Sequence, residues 1–417
     1  MLMPFVAAAA TSAGTVDRCR IVGMQAIVSH LFAERDIGLL WNELMQRIAL
    51  DGADAAAMLD LATILHSLGR AEEARQVLSG AVSLQRDFCI VHGNGRGPRL
   101  LAFVTPGDFM ANTPLDFLLA DSDCVLWLHY VDAGTTSLGE LPAHDVAFMA
   151  IGESSENLPV LNRMKVLLAG FPGPVMNNDP ELIRNLTRDG VSAMLAGEPS
   201  ILSPPTLRCS REELQAVASA DESVSALAFP LVVRPVSTHA GNGMERITTA
   251  AELSAWLEGE IAPELYAAPF IDFRGPDQLY NKQRIVFIKG RAYASHMALS
   301  EHWIVHYLSA GMAQSAAKRA VEQAWMENFD TDFAVRHAEA FAALHRHIGL
   351  DYFGIDSAEL PDGRLLVFEV DVAMVVHNMD SATLYPYKRV AMRKLFDAFV
   401  EAVRDGAVRA PGDRLSA

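Results

Sequence analysis

Residues 351–371 read DYFGIDSAELPDGRLLVFEVD. A Pro361-Asp362-Gly363 turn separates two apolar runs: Tyr352, Phe353 and Ile355 before it, Leu365 to Phe368 and Val370 after it. This pattern predicts a β-hairpin. Asp356, Glu369 and Asp371 interrupt the runs. Glu369 and Asp371 are two apart, so a strand turns both to one face, and Asp356 can meet them from the other strand. Three carboxylates gathered in an apolar hairpin repel and desolvate one another. A hard cation relieves that strain, and Mg²⁺ takes one or two carboxylates plus phosphate oxygens. The same acids also fit an edge strand with solvated carboxylates.

A second stretch, FPLVVRPVSTHAGNGMERI, spans residues 229–247. Phe229 to Val233 predicts a buried strand with Arg234 directly after it, and Met244 to Ile247 resumes the sheet. Between them Ser237 to Gly243 form a small-residue loop. Closely spaced Gly241 and Gly243 let backbone N–H groups approach phosphate oxygens, and a neighbouring cation counters their charge. A plain hairpin is the other reading of these residues.

Taken in chain order, the cation and glycine loop first and the acidic hairpin last, these stretches resemble the ATP-grasp superfamily, in its carboxylate–amine ligase-like form. The resemblance runs from about residue 100 to 405. It implies an α+β core over 206–405 that binds ATP and Mg²⁺, with a parallel α/β domain before it. Asp356, Glu369 and Asp371 take the metal positions. Arg234, Ser237, His239, Gly241 and Gly243 take the nucleotide side, and Phe270 and Ile271 lie in the hinge that receives adenine through backbone groups. Arg284, opening the strand of QRIVFIKG, takes the catalytic position beside the transferring group. Two residues depart from the pattern: Arg234 stands for the usual Lys, and Asp371 for the usual Asn. The activity implied is joining of a small-molecule or peptide carboxylate to an amine or thiol through an acyl phosphate, with release of ADP and phosphate. Two alternatives stay open on the same scaffold: a non-catalytic nucleotide-binding or adaptor protein, and a phosphotransferase.

His302 and His306 are four apart, which predicts a shared helix face, and His296 is nearby. Zinc sites need at least three protein ligands, and no HExxH or suitable Cys accompanies them. They read as substrate-pocket lining or as packing.

The rest of the chain divides by pattern. Residues 1–19 predict a flexible N-terminus. Residues 20–90 predict helices, and Asp54 to Asp87 is similar to one tetratricopeptide repeat: Gly69 suits a helix C-cap, and small residues alternate with leucines. One copy makes no solenoid, so this segment is expected to pack on the chain or to offer a surface for a homodimer or a protein partner. His92 to Pro98 reads as a linker. Over 98–205 strands alternate with helices, which predicts a parallel sheet. Its strand ends at Pro106-Gly107-Asp108 and Gly152-Glu153-Ser154 fall where open sheets bind ligands. Ser203-Pro204-Pro205 marks the entry to the core, and 406–417 predicts a flexible tail.

Composition bounds the function class. Of 417 residues 51% are hydrophobic, enough for several cores. The formal charge of −17 argues against nucleic acid and anionic membranes as partners. No apolar run reaches the ~18 residues a membrane helix needs. Cys19, Cys89, Cys124 and Cys209 are scattered without a Cys-x-x-Cys pair, which fits a reducing cytoplasm.

Overall fold

The computed structural model describes residues 18–219, 229–236, 238 and 241–408. The mixed α/β fold predicted from the sequence is present, built on three sheets. Most of the tail expected over 406–417, and nearly all of the N-terminus expected over 1–19, lies outside the described residues.

Four helices come first: α1 (Met24–Phe32), α2 (Gly38–Leu50), α3 (Ala55–Ser67) and α4 (Ala71–Leu84). The α3–α4 turn follows the expected capping chemistry. Gly69 sits at φ 77°, and the Arg70 amide donates to the Leu65 carbonyl at 2.9 Å. One face of this pair packs on the chain itself. Ala55, Ala56, Leu59 and Ala81 join the main core beside Phe88 and Leu100, while Ile27, Leu44 and Ile64 form a small core among the helices. Asp60 fastens the chain entering α1, accepting the Val22 amide at 2.7 Å and the Gly23 amide at 3.1 Å.

The first sheet holds β1 (Asp87–Val91), β2 (Arg99–Val104), β3 (Val125–Tyr130), β4 (Val146–Met149) and β5 (Val175–Met176), in the order β1-β3-β2-β4-β5. Strands β2 to β5 are parallel, as alternation predicted. The sequence reading missed β1, which pairs antiparallel with β3. Residues 92–98 are therefore the β1–β2 connection within one sheet rather than a linker. After β5 come two short helices, α5 (Pro180–Arg184) and α6 (Arg188–Met194), separated at Asn185–Thr187. Thr187 caps α6 through its hydroxyl.

A four-stranded antiparallel sheet follows: β6 (Leu207–Ser210), β7 (Leu231–Pro235), β8 (Glu245–Ile247) and β9 (Glu264–Pro269), ordered β6-β9-β7-β8. It has its own core of Leu231, Val233, Ile247, Leu253, Leu257 and Leu265. The last sheet contains β10 (Tyr280–Ile288), β11 (Arg291–Ser300), β12 (Tyr352–Glu359) and β13 (Leu365–Asp371) in the order β11-β10-β12-β13. Ile201–Leu202, just before the expected core boundary, adds a short parallel edge to β13. The predicted hairpin is β12–β13, and a turn at Lys289-Gly290 joins β10 to β11. The final helix, α7 (Lys388–Val408), includes the first residues of the expected tail.

Asp60 gives this fold a pH dependence. Burial pushes its carboxyl up to about 7, partly offset by the two amides it accepts. Between its unfolded value of 3.8 and about 7 the folded chain binds the extra proton, so stability falls as pH rises through that window. Relative to Asp60→Asn, the native chain should lose up to about 1.4 kcal/mol per pH unit between these limits. Urea midpoints of both chains across that range test it; parallel profiles would contradict it.

Candidate functional site

Register across the last sheet aligns the polar residues in one row. His296 on β11 is paired with Arg284 on β10, Arg284 with Asp356 on β12, and Asp356 with Glu369 on β13. Directly opposed residues point to one face with Cβ atoms about 5 Å apart. The row therefore alternates imidazole, guanidinium, carboxylate and carboxylate over four strands. Arg188 at the start of α6 extends it, donating to Glu369 at 2.8 Å.

Asp356 is buried, and two cations hold it. Arg284 donates from Nε at 2.8 Å and Nη2 at 3.1 Å, and Lys282 Nζ lies 2.9 Å away. Burial alone would raise this carboxyl, yet the charges of Arg284 and Lys282 hold it far below the usual range. The Arg284 Nη1 also donates to the Val375 carbonyl at 3.1 Å, tying the row to the segment after the hairpin. No cluster of three His, Cys, Asp or Glu side chains placed to share one metal ion occurs among the described residues. The expected trio is thus not assembled. Asp356 is occupied by cations, while Glu369 and Asp371 remain side by side on β13.

Asp371 is in the opposite condition. Burial, then the charge of Glu369, pushes it up to about 7, partly offset by the Ala373 amide, which donates to it at 2.8 Å. Asp371 is paired with Gly354, and the missing side chain matters there. A Cβ at Gly354 would stand 2.9 Å from Met374 Sδ. The strand end at Gly152 also closes on this point, since a Cβ there would lie 2.9 Å from the Ala373 Cβ. The adjacent Glu153 is pushed to about 7 by burial, with Glu369 among the charges acting on it. An excess of negative charge therefore surrounds Asp371 and Glu369.

Cations stand opposite. Arg234 at the end of β7 is buried and folded onto its own loop, with Nη2 donating to the Thr238 carbonyl and hydroxyl. Burial, then the charge of Arg188, lowers it to about 10. The Arg188 guanidinium lies 6.0 Å from the Tyr266 ring centroid. Gly241 and Gly243 have φ 79° and 66°, the left-handed conformation that favours glycine. A Cβ on Gly241 would lie 3.0 Å from Ile304, so the loop passes beneath the 301–304 segment. Ser237 and His239 lie outside the described residues. At the hinge, the Phe270 amide donates to the Pro230 carbonyl at 2.8 Å. Its ring meets Trp303 edge-on at 5.7 Å and carries the Arg246 guanidinium at 4.0 Å. Ile271 follows in irregular chain.

The histidines do not form the predicted helix face. Residues 301–304 are bends and a short 3₁₀ turn begins at Tyr307, so His302 and His306 share no helix. His296 instead lies on β11, 4.7 Å from the Tyr307 ring. Burial and then the Arg284 charge keep it neutral by lowering it well below its ordinary value. Sequence reasoning missed Arg188 and Lys282 as members of the site, and named Glu153 only as part of a strand end where ligands bind. Only Glu153 carried a signal, its place at a parallel strand end.

No protein-family model matches the chain, and no curated protein matches it. Solved structures to which it is similar include a RimK domain protein ATP-grasp from Sphaerobacter thermophilus DSM 20745, 15% identical over 73% of this chain and 99% of that one, TM-score 0.40. Another is the D-alanine-D-alanine ligase from Coxiella burnetii, 14% identical over 65% of this chain and 72% of that one, TM-score 0.38. Neither likeness assigns an activity to this chain.

Replacing Arg284 by Met leaves Asp356 buried with Lys282 alone. The expected loss is about 3 kcal/mol, and Arg284→Met/Asp356→Leu should regain part of it. Urea denaturation of the three chains measures this; a double variant no better than the single one would contradict it.

Proposed function

We propose that this chain is an ATP-dependent ligase that joins a carboxylate to an amine or thiol through an acyl phosphate. The observation that carries the reading is the cross-sheet row His296–Arg284–Asp356–Glu369, extended by Arg188 and faced by Arg234 and its glycine loop. Acids that attract a cation and arginines that attract phosphate there converge from three sheets.

The donor set fits Mg²⁺. Glu369 and Asp371 share a face of β13, and Asp371 is pushed up to about 7 by burial first and then by the charge of Glu369, both of which a bound cation would offset. One or two carboxylates suffice for this ion when phosphates and water complete its shell. Glu369 and Asp371 would hold it, and when bound it would neutralise phosphate charge as a Lewis acid.

The chain's own residues do the rest. Arg284, Arg188 and Arg234 counter the triphosphate, and backbone amides at Gly241 and Gly243 can approach its oxygens. The substrate carboxylate attacks the γ-phosphorus, and the bond to the ADP oxygen breaks. An amine or thiol then attacks the acyl carbon and expels phosphate. Alignment and exclusion of water supply most of the acceleration, because an acyl phosphate hydrolyses readily. Burial and the Arg284 charge make His296 a poor base, so the proton of the incoming amine leaves with the departing phosphate or to water.

One observation favours binding without turnover. Arg234 is engaged by Thr238, and Asp356 is closed by Lys282 and Arg284. Catalysis requires the Arg234 contacts to be exchanged for phosphate. ADP release against pools of small carboxylates, peptides, amines and thiols separates the two readings. The ligase reading predicts release that falls at least about 10²-fold in Glu369→Ala. Unchanged release in that variant, or tight ATP binding with no release from any pool, would overturn it.

A further inference from the structure

Outside this site, a cavity of about 690 Å³ opens where the outer side of α7 crosses the start of β11. Its size suits a small-molecule ligand. Four cations line it: Arg291 from β11, and Arg389, Arg393 and Lys394 from the first two turns of α7. This is a local reversal in a chain with 34 basic and 51 acidic residues.

The charges are not equally free. Arg393 is matched by Asp397 at 2.8 Å and Asp121 at 3.9 Å, and it donates to the Ala120 carbonyl at 3.0 Å. Lys394 is paired with Asp330. Arg291 reaches that same Asp330 only at 4.0 Å, and its guanidinium lies 5.3 Å from the Tyr293 ring centroid. Arg389 is exposed, with no hydrogen bond or ion pair among the described residues. Two guanidiniums thus face the cavity with donors to spare, beside the Asn378 amide. Glu401, the remaining acid of the lining, lies twelve residues beyond Arg389 on the helix, about 18 Å away, which leaves the Arg389 end cationic.

We propose that this cavity binds a small phosphate-bearing anion, through Arg389 and Arg291, at a site separate from the one on the acidic hairpin. Guanidinium forks match phosphate oxygens bidentately, and Arg291 and Arg389 reach the same open cavity from two elements, β11 and α7. Asn378 joins this cavity to the segment after β13. Asp380 on that segment pairs at 2.8 Å with Lys388, the neighbour of Arg389. A bound anion would therefore contact the same segment whose Val375 carbonyl accepts from Arg284. The proposal does not depend on the ligase reading.

Calorimetric titration of the full chain with inorganic pyrophosphate in metal-free buffer tests it, with citrate as the carboxylate control. Saturable pyrophosphate binding is expected, weakened at least about tenfold by Arg389→Ala and by Arg291→Ala. The titrations are made in the Arg234→Ala chain, where the hairpin site has lost a phosphate anchor; the cavity's own binding should persist there, because the sites share no residue. Binding in the Arg234→Ala chain that survives addition of Arg389→Ala, or no binding in the Arg234→Ala chain at all, would overturn the proposal. Citrate binding as tightly as pyrophosphate would overturn its preference for phosphate.

Discussion

The structure turns on one buried carboxylate. Asp356 sits at the centre of the last sheet, 4% exposed, with Arg284 and Lys282 bonded to it. A carboxylate in that position is tolerable only because both cations reach it. Everything beside it follows from register. Once Arg284 faces Asp356, His296 must face Arg284 and Glu369 must face Asp356. The row is thus a property of strand pairing rather than of loop conformation. Sites on paired strands are held more firmly than sites on loops.

That row becomes a site because other parts of the chain end against it. The parallel sheet contributes Gly152, whose lack of a side chain lets the strand end approach Ala373, and Glu153 next to it. Its last helix contributes Arg188. The small antiparallel sheet contributes Arg234 and the glycine loop. Each of these is anchored by its own core or by the main one, so the junction brings together groups with separate support. The resulting electrostatics are uneven. Asp356 is held far below the usual range by its two cations, whereas burial and then the charge of Glu369 push Asp371 up to about 7. Two carboxyls on adjacent strands with opposite shifts suit different tasks, one structural and one open to a cation.

Much of this was legible in the sequence. The hairpin announced itself because a Pro-Asp-Gly turn and two apolar runs leave few alternatives, and Gly241 and Gly243 occupy conformations that favour glycine. What the sequence hid depends on partners far along the chain. Arg188 and Glu369 are separated by 181 positions, and Lys282 and Asp356 by 74. Nothing local to Asp356 says that two cations will occupy it, so a reading of three metal carboxylates was natural and incomplete. Strand β1 was missed for a different reason. Its five residues lie between a helix and a glycine-rich turn, too short for a periodic signal to develop. The His302–His306 spacing misled because a four-residue interval indicates a shared face only where a helix exists, and bends fill that interval.

The central claim is that Glu369 and Asp371 hold a cation under a nucleotide anchored by Arg188 and Arg234. Calorimetric titration of ATP with and without Mg²⁺, on the native chain, Glu369→Ala and Arg188→Ala, tests it most directly. The account predicts saturable binding that requires Mg²⁺ in the native chain. It predicts that Glu369→Ala removes the Mg²⁺ requirement together with most of the affinity, and that Arg188→Ala weakens binding at least about tenfold. ATP binding indifferent to Mg²⁺ and to both substitutions, or none at all in the native chain, would contradict it.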